Sequence, residues 1–137
     1  MKIVKLNKVK KEKIGHVNLN GIELEPQERK TIRLLKKYGF NIEIIRPTNT
    51  PKTKNPDLLM LGTIWEMKAP TSFNENTLKI RMKKASKQAS HVIFDLRNIK
   101  KEYTKVEKCI IDLFAGNSRM RRMILIKKNG EAVDIFK

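Results

Sequence analysis

Acidic residues are scarce in this sequence, 14 against 31 lysines and arginines, and so are aromatic residues at 6%, with one tryptophan and one cysteine. A single thiol, Cys109, excludes an internal disulfide and a cysteine-built zinc knuckle. It falls in an apolar helical pattern where a buried thiol is the ordinary expectation, which suits a reducing compartment. There is no run of about 18 apolar residues, so no membrane-spanning helix is expected. The opening MKIVKLNKVKKEK lacks the apolar segment of a secretory signal, so an expectation follows that a larger precursor or a secretion machine carries the protein if it acts outside the cell that makes it. No basic amphipathic helix shows a bulky exposed apolar face and no lipidation signal is present, so a membrane is not an expected partner. A Walker loop and a glycine-rich dinucleotide fingerprint are missing too, and Ser72, Ser86 and Ser90 have no His–Asp companion pattern.

What is present is positive charge. The formal net charge of +17 over 137 residues exceeds what solubility requires and points to a polyanionic partner, nucleic acid first. At 39% hydrophobic and 33% charged, the chain has material for one compact α/β or α+β domain with a single mixed sheet flanked by helices. Residues 1–22 are lysine-rich without sustained periodicity and read as a basic arm with room for a short strand; residues 23–137 carry the domain.

From Pro26 the pattern sharpens. Pro suits a first helical turn, Thr31, Leu34, Leu35 and Tyr38 fall on one face, and Gly39 stands where a C-terminal cap would. Phe40, Ile42 and Ile44 alternate with polar residues in a strand ending at Arg46-Pro47, and a polar loop follows. Leu58 to Leu61 and Ile64 to Met67 read as a hairpin turning at Gly62-Thr63. Leu78, Met82, Ala85 and Ala89 mark an amphipathic helix that is cationic elsewhere, and His91 to Leu96 is a β-type run. Tyr103, Val106, Ile110 and Leu113 predict a third helix stopped by Gly116, and Asn129-Gly130 predicts a closing hairpin.

The chemistry concentrates in PDLLMLGTIWEMK. A turn at Gly62-Thr63 places Asp57 nearly opposite Lys68, and strand alternation puts Glu66 and Lys68 on one face with Trp65 and Met67 on the other. Two nearby carboxylates repel unless a cation lies between them, so Asp57 and Glu66 are candidate oxygen ligands for Mg²⁺ or another divalent cation. Lys68 is the candidate catalytic cation, able to orient water or offset charge on a phosphorane. In so lysine-rich a chain Glu-x-Lys also arises by chance, as at Glu28-Arg29-Lys30; the apolar hairpin frame sets the second occurrence apart.

These residues resemble the PD-(D/E)XK nucleases, whose order of helix, three strands, helix and strand matches residues 26–96. NPDLLMLGTIWEMKAP, KKASKQASHVIFDLR and RRMILIKKNGEAVDIF more closely resemble the C-terminal tRNA-nuclease toxin domain of contact-dependent inhibition proteins and related phage and mobile-element proteins, over roughly residues 23–137. The resemblance implies a restriction-endonuclease-like αβββαβ core with a C-terminal helix and hairpin. It also implies cleavage of RNA, tRNA at family level, a cytoplasmic site of action and a cognate immunity protein. It places Asp57, Glu66 and Lys68 at the active site. Glu28 matches the acidic residue that many such nucleases keep on the first helix, although a carboxylate there is also favoured by the helix dipole alone.

Alternatives at this stage are a DNA substrate, a non-catalytic nucleic-acid-binding module, and metal-independent RNA cleavage through the 2′-hydroxyl. The last would draw on Lys68, Thr77, Asp95 and Arg97, with a structural Asp95–Arg97 pair as its competitor. Neither His16 nor His91 belongs to a recognisable catalytic pair. For nucleic-acid binding the candidates are Lys79, Arg81, Lys83, Lys84 and Lys87 on the second helix, with Arg97, Arg119, Arg121 and Arg122.

Overall fold

Helix α1 (Pro26–Lys37) begins with Pro at its first position and a reciprocal cap, in which Glu25 N donates to Glu28 Oε1 at 2.8 Å and the Glu25 side chain accepts from the Glu28 backbone. It ends as expected at Gly39, whose φ of +91° an L side chain rarely adopts. The computed structural model describes residues 1–45, 57–100 and 105–137. The expected strand end at Arg46-Pro47, the polar loop through Pro56, and Tyr103 lie outside these residues.

The strands are β1 (Lys2–Lys5), β2 (Val17–Asn18), β3 (Ile42–Ile45), β4 (Asp57–Met60), β5 (Thr63–Lys68), β6 (His91–Asp95), β7 (Arg122–Ile126) and β8 (Ala132–Phe136). They form one mixed sheet in the order β1-β8-β7-β6-β5-β4-β3-β2. Helices α2 (Glu75–Gln88) and α3 (Val106–Ala115) complete a single α+β domain. The order helix, three strands, helix, strand expected over residues 26–96 is observed. Among the described residues no helix is long and apolar enough to cross a membrane.

The sheet divides the core in two. On one face Leu78, Met82 and Ala85 of α2 and Ile110 and Phe114 of α3 pack on Val92, Phe94, Met123 and Leu125. On the other, Ile32 and Leu35 of α1 pack on Ile44, Leu58, Trp65, Met67, Ile93 and Ile124. Each of the larger aliphatic and aromatic side chains among them contributes about 1.5–3 kcal/mol on burial. Alternation along β5 therefore sends Trp65 and Met67 to the α1 face, and Glu66 and Lys68 to the α2 face.

Two local expectations need correction. The β4–β5 turn is Leu61-Gly62, with φ of +55° and +73°, rather than Gly62-Thr63. Paired left-handed residues make the turn whose twist matches a two-residue hairpin. The shift moves the register, so Asp57 pairs with Glu66 and not with Lys68. The N-terminal stretch, expected as a basic arm with room for one short strand, supplies two, one at each edge of the sheet: β1 pairs antiparallel with β8, and β2 runs parallel to β3. Between them the chain is pinned to the end of α1 by Val9 N to Lys37 O and Gly15 N to Lys36 O, both 3.0 Å. Gly15 is buried there against the Phe40 backbone, where a Cβ would collide with the Phe40 carbonyl.

Candidate functional site

The β4–β5 ladder sets Asp57 and Glu66 directly opposite each other on the α2 face. Glu66 is only 4% exposed, and Lys68 Nζ lies 3.1 Å from its Oε1. Oε2 is buried without a hydrogen-bond donor among the described residues. Burial, and then the Asp57 carboxylate beside it, push Glu66 up to about 7, against the pull of Lys68. A proton on Glu66 lets it donate to Asp57; a cation between the two carboxylates serves the same electrostatic end.

Glu28, on the first turn of α1, is 6% exposed, and burial raises its pKa while the hydrogen bond from the Glu25 backbone lowers it. One of its oxygens is thus committed to capping. The same side chain lines a cavity of about 330 Å³ with Met67 and Lys68 from β5 and Arg81 from α2. The structure accordingly brings Glu28 and Lys68 to one cavity. It also brings Arg81 there, where the sequence pattern placed it simply on the outward side of its helix.

Asp95 and Arg97 form the structural pair that competed with a catalytic role. Asp95 is fully buried and accepts from Arg97 Nε at 3.0 Å, Arg97 Nη2 at 2.8 Å, Arg97 N at 3.0 Å and Thr31 Oγ1 at 2.6 Å. Arg97 Nη2 also donates to Lys30 O at 3.0 Å, so the network rivets α1 to the end of β6. Asp95 shares the α1 face with Ile93, opposite to that of Glu66. Thr31 was legible only as one residue of a helix face; its signal was a hydroxyl amid leucines, which requires a buried partner. Thr77 is exposed in the first turn of α2, its N–H donating to Asn74 Oδ1.

The histidines stand apart from this site. His16 is exposed. His91, at the start of β6, meets the Trp65 ring edge-on at 4.9 Å, its Nδ1 2.8 Å from Ser90 Oγ. Burial, and then Arg122, lower its pKa. Arg122 grips Asp134 through Nε at 3.0 Å and Nη2 at 2.6 Å, and lies over the Trp65 and Phe136 rings at 5.5 and 5.3 Å. The guanidiniums of Arg97 and Arg122 are therefore both committed to carboxylates within the fold. Lys79, Arg81, Lys83, Lys84 and Lys87 are exposed along α2, and Arg119 and Arg121 are exposed before β7.

For a divalent cation, the donors at the Asp57–Glu66 pair are two hard carboxylates, one with an oxygen that has no donor among the described residues, a combination that fits Mg²⁺ or Mn²⁺. Among the described residues no group of three or more His, Cys, Asp or Glu is arranged to hold a metal, so solvent or substrate oxygens would complete the shell.

A family model described as "Contact-dependent growth inhibition CdiA C-terminal domain" matches residues 54–132. No curated protein matches the chain. Among solved structures, the fold is similar to that of a chain from the CdiA-CT/CdiI toxin and immunity complex from Burkholderia pseudomallei. The TM-score is 0.60 at 22% identity, covering 90% of this chain and 100% of the other.

Proposed function

The chain belongs to the family of CdiA C-terminal domains of contact-dependent growth inhibition, and from that premise we propose that it is a toxin acting as a nuclease on RNA, with tRNA as its substrate. The observation that carries the chemistry is the Asp57–Glu66 pair with Lys68 at 3.1 Å. Three charged groups at the end of an apolar hairpin hold the sheet no better than well-packed hydrophobes would, so their presence calls for a chemical reason.

Asp57 and Glu66 would hold a divalent cation, which when bound supplies Lewis acidity and a more acidic water. Lys68 holds its ammonium beside the reacting phosphate and offsets charge developing in the transition state. Arg81, across the cavity, grips a phosphate oxygen, and Glu28 fixes the polarity of the opposite wall. The remaining cations of α2 bind flanking phosphates. The αβββαβ order, with its strand Asp and Glu-x-Lys, supports a nuclease of the PD-(D/E)XK type. A cognate immunity protein is the proposed protein partner, supported by the likeness to a toxin and immunity complex. The proposed site of action is the cytoplasm.

Incubating the purified protein with total tRNA and with plasmid DNA, in Mg²⁺, Mn²⁺ or EDTA, tests this reading. Metal-dependent tRNA cleavage that Glu66→Gln and Lys68→Ala abolish is the expected result. Intact tRNA in every metal, together with variants as toxic as the parent, would sink it; plasmid cleavage alone would move the substrate to DNA. The Glu66 carboxyl, pushed up to about 7, favours one second reading, metal-independent RNA cleavage through the 2′-hydroxyl, since a group poised near neutrality can pass a proton while Lys68 offsets charge. Cleavage that survives EDTA identifies it.

A further inference from the structure

A second cavity, of about 520 Å³, opens between α2, the end of α3 and the turn that leads into β7. Its size is that of a pocket for a small ligand. Met82 and Leu113 give it an apolar floor. Lys79, Lys83 and Lys87 line one rim at successive i, i+4 positions, so helix rise spaces them about 6 Å apart, a step comparable with that between successive phosphates of one strand. Arg119 stands on the other side.

Polar groups between floor and rim are already oriented. Asn117 Oδ1 accepts from Arg119 N at 3.0 Å and Met120 N at 3.3 Å, which leaves the Nδ2 amino group as the donor for a ligand. Ser86 Oγ donates to Lys83 O at 2.7 Å and keeps its own lone pairs as acceptors. Asp112 adds a carboxylate on the α3 side. It repels phosphates toward the lysine rim and can accept from an exocyclic amino group.

We infer that this cleft binds an unpaired nucleotide of the nucleic-acid substrate, its base over Met82 and Leu113 and its phosphates along Lys79, Lys83 and Lys87. The inference rests on the reading of the chain as a nuclease. An apolar floor under a cationic rim matches a nucleotide, which is flat and apolar on its base faces and anionic along its backbone. A duplex keeps its bases stacked and would leave the floor uncovered. An acidic protein segment would suit the rim, but its carboxylates offer no flat apolar face to cover Met82 and Leu113. Because Arg81 faces the cavity of Lys68 while Lys79, Lys83 and Lys87 face this one, the substrate wraps α2, cut on one side and held by an unpaired base on the other.

The test uses the full chain carrying Glu66→Gln, which prevents turnover. Labelled short single strands of RNA and DNA, and a paired RNA duplex, are titrated by fluorescence anisotropy. Lys83→Glu and Asn117→Asp are compared with their parent; the second keeps the Oδ1 acceptor and removes only the amino donor. Both should weaken single-strand binding about tenfold and duplex binding less than about threefold. Photocrosslinks from thio-substituted bases should fall in residues 82–86 and 113–119. Unchanged single-strand affinity with crosslinks elsewhere, while the wild type still cleaves, overturns the cleft and spares the nuclease reading. No binding to any nucleic acid overturns both. If Lys83→Glu disrupts only capture of a co-expressed acidic protein, the cleft is a protein-docking surface and the inference fails.

Discussion

Asp57 faces Glu66 across the β4–β5 ladder because a leucine, Leu61, takes a left-handed conformation beside Gly62. A φ of +55° costs a leucine on the order of 1 kcal/mol. Leu61→Gly should therefore stabilise the hairpin by up to about 1 kcal/mol, and Leu61→Pro should disrupt it and with it the carboxylate pair, since proline cannot adopt positive φ. Thermal unfolding and tRNA cleavage measured on both variants check this. A stable, fully active Leu61→Pro protein would show that the register does not depend on the turn.

Glu66 and Lys68 should each carry a large share of turnover. Glu66→Gln and Lys68→Ala are expected to lower the initial rate of tRNA cleavage by about 10²–10³-fold with little change in circular dichroism. Losses below about threefold for both would place the chemistry elsewhere.

The raised pKa of Glu66 makes stability depend on pH. Its folded value, about 7, lies above the ordinary 4.5, so the folded state binds the proton more tightly. The stabilisation is complete below about pH 4.5 and is lost as pH rises through about 7. Relative to Glu66→Gln, the wild type should thus lose on the order of 3 kcal/mol between pH 4.5 and 8, read from urea titrations at each pH. A pH-independent difference would show that the pair is not strained by charge.

A divalent cation that replaces that proton should act in the same window. Millimolar Mn²⁺ is expected to raise the melting temperature of the wild type by a few degrees at pH 8, less at pH 5, and not at all in Asp57→Asn. Calorimetric titration of wild type and variant separates specific binding from a general salt effect.

Most elements were legible from local pattern. Pro26, the leucine face and Gly39 mark α1; Leu78, Met82 and Ala85 mark α2; both hairpins carry turn residues. Asn129-Gly130 serves a longer turn than a two-residue one, with Gly130 at φ +91° and Lys127 N bonded to Glu131 O. The short strand allowed for in the N-terminal arm could not be placed from pattern, because all residues of β1 are exposed and no face of Lys2–Lys5 needs to be apolar. At the site, residue types were legible but their register was not, because nothing in the letters says that Leu61 goes left-handed. Cys109 is half-buried rather than buried, since the helical pattern identifies a face and not its edge. The Thr31–Asp95 bond joins residues 64 positions apart, a pairing that local pattern cannot supply.

That bond makes a further prediction. Asp95→Ala strips Arg97 and Thr31 of their buried acceptor and should cost about 3–5 kcal/mol. Thr31→Val, which keeps the shape, should cost about 1–2 kcal/mol and leave cleavage of tRNA nearly unchanged at low temperature. A Thr31→Val rate below a tenth of wild type would assign the network to the chemistry instead.

The pairing of Lys2 with Phe136 has a consequence for how this molecule comes into being. β1 finds its neighbour in β8, so this edge of the sheet cannot close until every element between the two in the chain is available. Contacts between segments so distant in sequence form slowly, because the chain must give up its freedom before they repay it. Whichever of the two strands is extended first, it waits for the other. The same geometry sets Lys2 beside Phe136, so a pull applied between these two residues is borne first by the β1–β8 ladder, and its rupture is the step with which unfolding under that force begins.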